Sequence, residues 1–328
     1  METRKLGKFE VSAIGLGCMS MSQGYGQADP AESERTLRRA LEIGYTFFDT
    51  ASIYGQGHNE TLIGNVLKSQ RDKFILASKC GFIATPDGGR GIDCRPETVK
   101  KTCEESLQRL QTDVIDLYYL HRRDFEVPIE ESVGAMADLV NAGKIRAVGL
   151  SEVSTITLRK AHKVHPITAV QSEYSLWTRD PEFRMLDTCH ELGVTFVPFS
   201  PLGRAFLTGT IKDPSELEDN DLRKRMPRFQ EDNFRINSKL LTEFSVIARD
   251  NQCTMAQLAL AWLLAQQDGR LIPIPGTKHV KYVEENAAAV NLKISPEDLT
   301  RAGNIINAQT VSGHRYHERM QKTIDPEE

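Results

Sequence analysis

The stretch Tyr45-Thr46-Phe47-Phe48-Asp49-Thr50-Ala51-Ser52-Ile53-Tyr54-Gly55 starts apolar and ends polar. Tyr45 to Phe48 is short, aromatic and bounded by Gly44, which reads as a buried strand. The chain then turns polar and reaches a turn at Gly55, so an acid, Asp49, and a phenol, Tyr54, stand just beyond a strand end. An α/β scaffold keeps its reacting groups there, because the strand holds the backbone while the following loop faces solvent and ligand.

The same grammar extends in both directions. Upstream, after a polar opening that suits a small hairpin, Ser12 to Gly17 reads as a first strand. Asp29-Pro30 follows as an N-cap with proline at N1, then Leu37, Ala40 and Leu41 at helical spacing, and Gly44 as the C′ glycine. Downstream, Phe74 to Lys79 is a strand followed by a loop with Gly88, Gly89 and Gly91 and a helix facing inward through Val99, Cys103, Leu107 and Leu110. Val114 to Leu120 precedes a helix with Val133, Met136, Ala137 and Val140 inside, closed by Gly143. Ile145 to Leu150, Thr168 to Gln171 and Val194 to Phe199 are further strands, the last entered through Gly193. Leu271 to Pro275 is the eighth, after a helix opened by the capping box Thr254 to Gln257 with Leu258, Ala261, Trp262 and Ala265 inward.

Eight apolar strands alternating with amphipathic helices pair in parallel through right-handed crossovers, and eight is the number that closes. The expectation is an α/β fold, one (β/α)8 TIM barrel spanning residues 1–328 as a single domain. The charged stretch at about 203–237 is too long for an ordinary connection and reads as a functional loop or lid. A last helix starts at Ser295-Pro296, and the tail at about 311–328, rich in His and Arg, reads as disordered or as lying over the barrel mouth.

A net charge of −4 offers no basic field for nucleic acid or an anionic membrane. The six cysteines form no C-x-x-C pair, zinc spacing or disulfide framework, which suits reduced thiols in a cytoplasm. The start carries no apolar signal, and the greasiest run, Leu258 to Ala265, falls far short of a membrane span. Oligomeric state is not legible in the sequence.

If the strands close in this order, Asp49 and Tyr54 follow the second, Lys79 ends the third and His121 ends the fourth. Taken singly, each has a structural reading: a packed histidine, a snorkelling lysine, a turn-capping aspartate, a packed tyrosine. Together they deliver an acid, a phenol, an ammonium and an imidazole to one rim, as proton transfer requires. A phenol titrates near 10, so as a donor at neutral pH it needs a cation such as Lys79 to stabilise the phenolate. Asp49 would keep Lys79 charged and aimed, while neutral His121 would donate a hydrogen bond to a carbonyl oxygen.

Phe48-Asp49-Thr50-Ala51-x-x-Tyr54-Gly55, Ser78-Lys79 and Tyr119-Leu120-His121 resemble the three signature segments of the aldo-keto reductase superfamily, over nearly the whole chain and in matching order. The resemblance implies hydride transfer from a nicotinamide to a carbonyl carbon, Tyr54 protonating the oxygen, with small carbonyl or alcohol substrates. It implies that Gly149-Leu150-Ser151, with Glu152 beside it, and Gln171 hold the carboxamide and that Phe199 lies against the nicotinamide face. Ser200, Pro201, Leu202 and Gly203 resemble the pyrophosphate turn, which makes the long loop a cofactor belt. Gly276, Thr277, Lys278, Glu285 and Asn286 resemble the adenosine end, where Lys278 beside a 2′-phosphate favours NADPH (NADP+) with NADH also possible. Two positions depart from the pattern. Glu152 stands where many members have Asn, and Tyr282 stands where many place an arginine four residues before Asn286. The latter leaves the adenosine phosphate to Lys278 and backbone groups.

Substrate choice would fall to the loops after Gly17, after Lys79 and near the C-terminus, with Met19, Met21, Tyr25, Phe82, Ile83, Arg122 and Trp177 as lining candidates. Met and aromatic side chains there suit a bulky apolar carbonyl. Three rivals remain beside this reading. A Rossmann dehydrogenase, prompted by Gly15-Leu16-Gly17, lacks the third glycine and the acidic residue. A nicotinamide-binding regulatory or sensor subunit would carry the same site with little turnover. A metal-dependent hydrolase using Asp49 and His121 lacks further ligands, so no metal is expected.

Overall fold

The computed structural model describes residues 1–85 and 89–327, so Gly88 and Glu328 lie outside the described residues. The chain opens with a hairpin, β1 (Thr3–Leu6) and β2 (Phe9–Ser12). Seven parallel strands follow: β3 (Leu16–Gly17), β4 (Phe47–Asp49), β5 (Ile75–Cys80), β8 (Leu117–Leu120), β9 (Val148–Ser151), β10 (Ile167–Glu173) and β11 (Thr195–Phe199), with β6 (Phe82–Ala84) and β7 (Arg90–Ile92) forming a side hairpin. They are neighbours in sequence order, as right-handed βα crossovers dictate.

The eighth strand closes the ring only by bridges, Phe199 to Ile274 and Gly17 to Gly276. Pro273 and Pro275 have no N–H, so towards β3 this segment only accepts, from Gly15 N and Gly17 N. On the other side Ile272 and Ile274 donate to Phe196 O and Pro198 O. At the seam a Cβ on Gly17 would meet Ile274 O at 2.9 Å, so the closure demands glycine.

Inside the barrel Phe47, Ala77, Leu117, Tyr119, Ala169, Val197 and Ile272 pack together, and Leu6 and Val11 of the hairpin plug the bottom. Helices α1 (Pro30–Glu42), α2 (His58–Leu67), α3 (Pro96–Leu110), α4 (Ile129–Asn141), α5 (Thr155–Val164) and α6 (Met185–Leu192) sheathe the strands, burying the larger outer cluster. Further helices α7 (Glu231–Ser238), α8 (Leu240–Asp250), α9 (Met255–Leu264), α10 (Val280–Ala288), α11 (Pro296–Ile305) and α12 (Glu318–Gln321) complete the chain. The expected caps form: Asp29 accepts from Ala31 N and Glu32 N, Thr254 and Gln257 make the capping box, and Ser295 accepts from Asp298 N.

Three expectations need adjusting. Helix α4 buries Ala135 and Leu139 with Val133 and Met136, while Ala137 and Val140 are only half-buried. Helix α9 is covered almost all round, being wedged between neighbours, and Ala265 just past its end is exposed. The glycine-rich stretch after β5 carries the β6–β7 hairpin, which its short segments and glycines concealed. No helix among the described residues is long and apolar enough to cross a membrane.

The loop at 203–237 is a chain of single 3-10 turns ending in α7. It touches the loop after β3: Leu222 N donates to Gly24 O at 3.0 Å and Gln27 N to Glu218 Oε2 at 3.1 Å. The C-terminal tail is docked, not loose. Arg315 pairs with Glu152, Arg123 with Asp325, and Asp325 and Glu327 accept from Ser154 N and Thr155 N at the start of α5.

Candidate active site

Parallel register aligns the chemistry-bearing residues. Asp49 ends β4 opposite Ala77, and Lys79 stands two residues further along β5, so the carboxylate and ammonium meet across adjacent strands. His121 directly follows β8, its N–H bonded to Cys80 O at 2.8 Å. Tyr54 sits in the turn after β4, whose loop is tied down by the buried Asn59 amide, bonded to Thr50 Oγ1, Cys18 O and Ser22 Oγ. The sequence reading missed Asn59; its position five residues after Tyr54, opening α2, was the available signal.

Lys79 is wholly buried. Its Nζ ion-pairs with Asp49 Oδ1 and donates to Thr50 O at 2.8 Å. Gln171 reaches from β10 to the other carboxylate oxygen of Asp49 at 2.8 Å. The ammonium lies 5.3 Å from the centre of the Tyr54 ring, and Tyr54 meets His121 edge to face with centroids 5.7 Å apart. The tetrad therefore shares one site at the C-terminal end of the barrel.

Burial sets the charge states. It is the largest influence on Lys79 and pulls it down, but the Asp49 carboxylate and Tyr54 outweigh it, so the ammonium titrates above its ordinary value. Burial pushes the Tyr54 phenol up more strongly than the Lys79 charge pulls it down. The lysine thus moderates the phenol without bringing it below its ordinary value. His121 is driven well below its ordinary value by burial, with Lys79, Arg122 and Arg90 adding to the effect. Its imidazole is neutral, and Nδ1 is buried without a hydrogen-bond partner among the described residues.

The expected cofactor residues lie around this centre. Ser151 ends β9, its Oγ 3.4 Å from Arg122 Nη1. The Glu152 carboxylate accepts from Glu173 N at 2.9 Å and pairs with Arg315. Phe199 ends β11, half-buried. Beyond it Ser200, Pro201, Leu202 and Gly203 form a turn in which Ser200, Gly203, Arg204 and Ala205 all hold positive φ, from 48° to 71°. The backbone N–H groups of Leu202, Arg204 and Ala205 donate to nothing among the described residues. Strained backbone with free donors beyond a strand end fits an anionic phosphate. Gly276 and Thr277 follow the eighth strand, Lys278 Nζ donates to Tyr25 O at 2.8 Å and Gln27 O at 2.6 Å, and Glu285 and Asn286 lie on α10.

The lining candidates divide. Met19 and Phe82 pack with Ala51, Ile53 and Tyr54, and Phe82 lies 4.8 Å from His121 centroid to centroid. Met21 is buried in the outer core, Ile83 half-buried in the side hairpin. Tyr25 sits under Arg223 beside the long loop. Trp177 is buried, its ring packed against Phe206 and Phe229 beside Gly203 of the 200–205 turn. Beside Tyr54, between Ile53, Gly55, Gln56, Gln23, Ala84 and Arg90, opens a cavity of about 320 Å³.

Known proteins resemble this chain over most of its length. The family described as the aldo/keto reductase family matches residues 13–307. The Schizosaccharomyces pombe aldo-keto reductase yakc, whose name includes NADP(+), is 42% identical over 96% of this chain and 94% of its own. A probable aldo-keto reductase 1 of Glycine max is 43% identical over 94% and 89%. Among solved structures, the glycerol dehydrogenase of Gluconobacter oxydans superposes with a TM-score of 0.85 at 27% identity, covering 94% of this chain and 96% of that one. An aldo-keto reductase of Klebsiella pneumoniae in complex with NADPH gives 0.75 at 27% identity, covering 96% and 98%.

Proposed function

We propose that this chain, which belongs to the aldo/keto reductase family, is an NADPH-dependent enzyme that reduces aldehydes or ketones to alcohols, reversibly, with Tyr54 as the proton donor. The observation that carries the reading is the buried Asp49–Lys79 pair directly beneath Tyr54 and beside a neutral His121. The free N–H groups and strained backbone of the 200–205 turn fit the pyrophosphate of a dinucleotide, and the relatives named with NADP(+) or solved with NADPH support the same cofactor. When bound, the nicotinamide supplies the hydride.

The protein residues do the rest. Tyr54 Oη donates its proton to the carbonyl oxygen, and Lys79 stabilises the phenolate that results. Asp49 keeps Lys79 charged and aimed, and Gln171 fixes Asp49 in turn. Neutral His121 donates a hydrogen bond that orients the carbonyl and disperses charge on its oxygen without competing as an acid. Ser151, Gln171 and Phe199 would hold the nicotinamide, the turn from Ser200 to Gly203 would hold the pyrophosphate, and the loop at 203–237 would cover it. Gly276, Thr277, Lys278, Glu285 and Asn286 take the adenosine end, with the Lys278 charge favouring a 2′-phosphate. We place the enzyme in the cytoplasm, in keeping with its unpaired cysteines.

A panel of aldehydes and ketones with NADPH and NADH side by side, followed by nicotinamide absorbance, tests this directly. Oxidation of NADPH by several carbonyls is expected. Tight NADPH binding with no oxidation by any of them would make the chain a sensor instead.

A further inference from the structure

Among the described residues Arg122, Arg204 and Arg223 are buried, and so is the side chain of Arg315, which is paired with Glu152. Arg204 is paired with Glu173 and Arg223 with Asp221. Arg122 differs. It is 4% exposed, yet no carboxylate among the described residues lies within ion-pair distance of it. Its Nη1 donates to His121 O at 2.7 Å and Ser151 Oγ at 3.4 Å, both neutral, and its Nε is buried with no hydrogen-bond partner among the described residues. A buried, unpaired guanidinium is costly, and a chain retains such a charge where a partner arrives from outside. This one stands beside His121, over the Phe82 ring at 5.7 Å, where the carbonyl of the proposed reaction would sit.

The surroundings reinforce the charge. Asp49, the acid of the tetrad, is taken up by Lys79 and Gln171. Arg90, at the rim of the cavity beside Tyr54, makes a neutral contact with Gln23 Oε1 at 2.8 Å. Among the described residues no carboxylate pairs with either cation, and both stand beside the place where a substrate must lie, although the chain as a whole is acidic.

We propose that Arg122 is a specificity-determining residue that pairs with a carboxylate on the substrate, so that the preferred substrates are oxo acids or aldehydo acids with the carbonyl a few carbons from the anion. The proposal rests on the reductase reading above and names its substrate class. The reaction is the same: the carbonyl carbon gains a hydride and its two electrons from NADPH, the oxygen gains the Tyr54 proton, NADP+ and a hydroxy acid are released, and the carboxylate is unchanged. The planar guanidinium suits this partner better than an ammonium would, since it presents paired donors to two carboxylate oxygens.

The test compares 4-oxobutanoate with its methyl ester and with butanal, using NADPH and the full chain. Wild type should prefer the acid over its ester by about tenfold or more in kcat/KM, mainly through KM. Arg122→Gln, which can still donate to its neutral neighbours, should erase that preference, and Arg122→Lys should restore part of it. Turnover of butanal with no preference for the acid would overturn this inference and leave the reductase reading standing. Equal loss on acid and ester in Arg122→Gln would overturn it too, by making Arg122 a structural prop for His121. If no carbonyl is turned over, calorimetric titration of the NADPH-loaded protein with 4-hydroxybutanoate and its amide decides: equal affinity for the two overturns the assignment, and tighter acid binding lost in Arg122→Gln upholds it.

Discussion

Glu152, in the left-handed region at φ 54° just past β9, forms a buried ion pair with Arg315, 163 residues further on. A carboxylate at that backbone position anchors the tail: Arg315 leads directly to Tyr316, whose hydroxyl accepts from Arg204 at 2.9 Å, and Arg204 pairs with Glu173 on β10. Glu173 is held below its ordinary value despite burial, which alone would raise it, because Arg204, Arg315 and Arg228 surround it. Removing one partner from such a network leaves a charge stranded. Glu152→Ala should therefore destabilise the protein by about 3 kcal/mol in denaturant unfolding and expose the tail to proteolysis. A loss below about 0.5 kcal/mol, the level of exposed pairs, would show that the pair contributes nothing.

Tyr54→Phe removes the proposed proton donor and keeps the ring against His121. The expected outcome is a fall in kcat of about a hundredfold or more, with NADPH binding by fluorescence titration retained. Near-normal turnover would transfer the role to another group.

Lys278 bonds the carbonyls of Tyr25 and Gln27, which ties the loop after β3 to the eighth strand. If its charge also reads a 2′-phosphate, Lys278→Ala should weaken NADPH by about tenfold or more, the worth of one charge-assisted hydrogen bond. NADH should weaken far less, and equal weakening of both would mean that the lysine serves only the loop.

The pH profile follows from His121 and Tyr54. His121 is depressed below its unfolded value, so the unfolded chain takes up its proton first as pH falls. The stability it contributes is complete above about pH 6.5 and is lost towards the folded value at up to about 1.4 kcal/mol per pH unit. Tyr54 is raised, so the phenol keeps its proton through neutral pH. The kcat for reduction should be flat between about pH 6 and 9, and an acid limb near the ordinary histidine value would show that His121 titrates in the working enzyme.

Gly149 lies under the Tyr119 ring, where a Cβ would come within 2.4 Å. Tyr119 fills the barrel interior below Lys79, its ring centre 5.9 Å from Nζ. Gly149→Ala should cost about 1–3 kcal/mol by overpacking, measured by denaturant unfolding, and should disturb Lys79 enough to lower kcat. An unchanged midpoint would mean that Tyr119 has room to move.

The local rules that the chain obeys were legible residue by residue. Gly44, Gly143 and Gly193 end helices, Asp29, Thr254 and Ser295 begin them, and apolar runs such as Phe47-Phe48 and Leu117 to Leu120 make strands, because caps, turns and periodicity are properties of neighbours in sequence. Once the strands are parallel, Asp49, Lys79 and His121 must share one end of the barrel, and that too needs no knowledge of packing. What lies between distant segments was not legible. Trp177 packs beside Gly203 of the 200–205 turn, Lys278 takes the carbonyls of the β3 loop, and Glu152 takes Arg315, since each partnership depends on which loops the closed barrel brings face to face. The charge of Arg122 belongs with these: a sequence shows an arginine, but only the folded chain shows that no carboxylate among the described residues pairs with it.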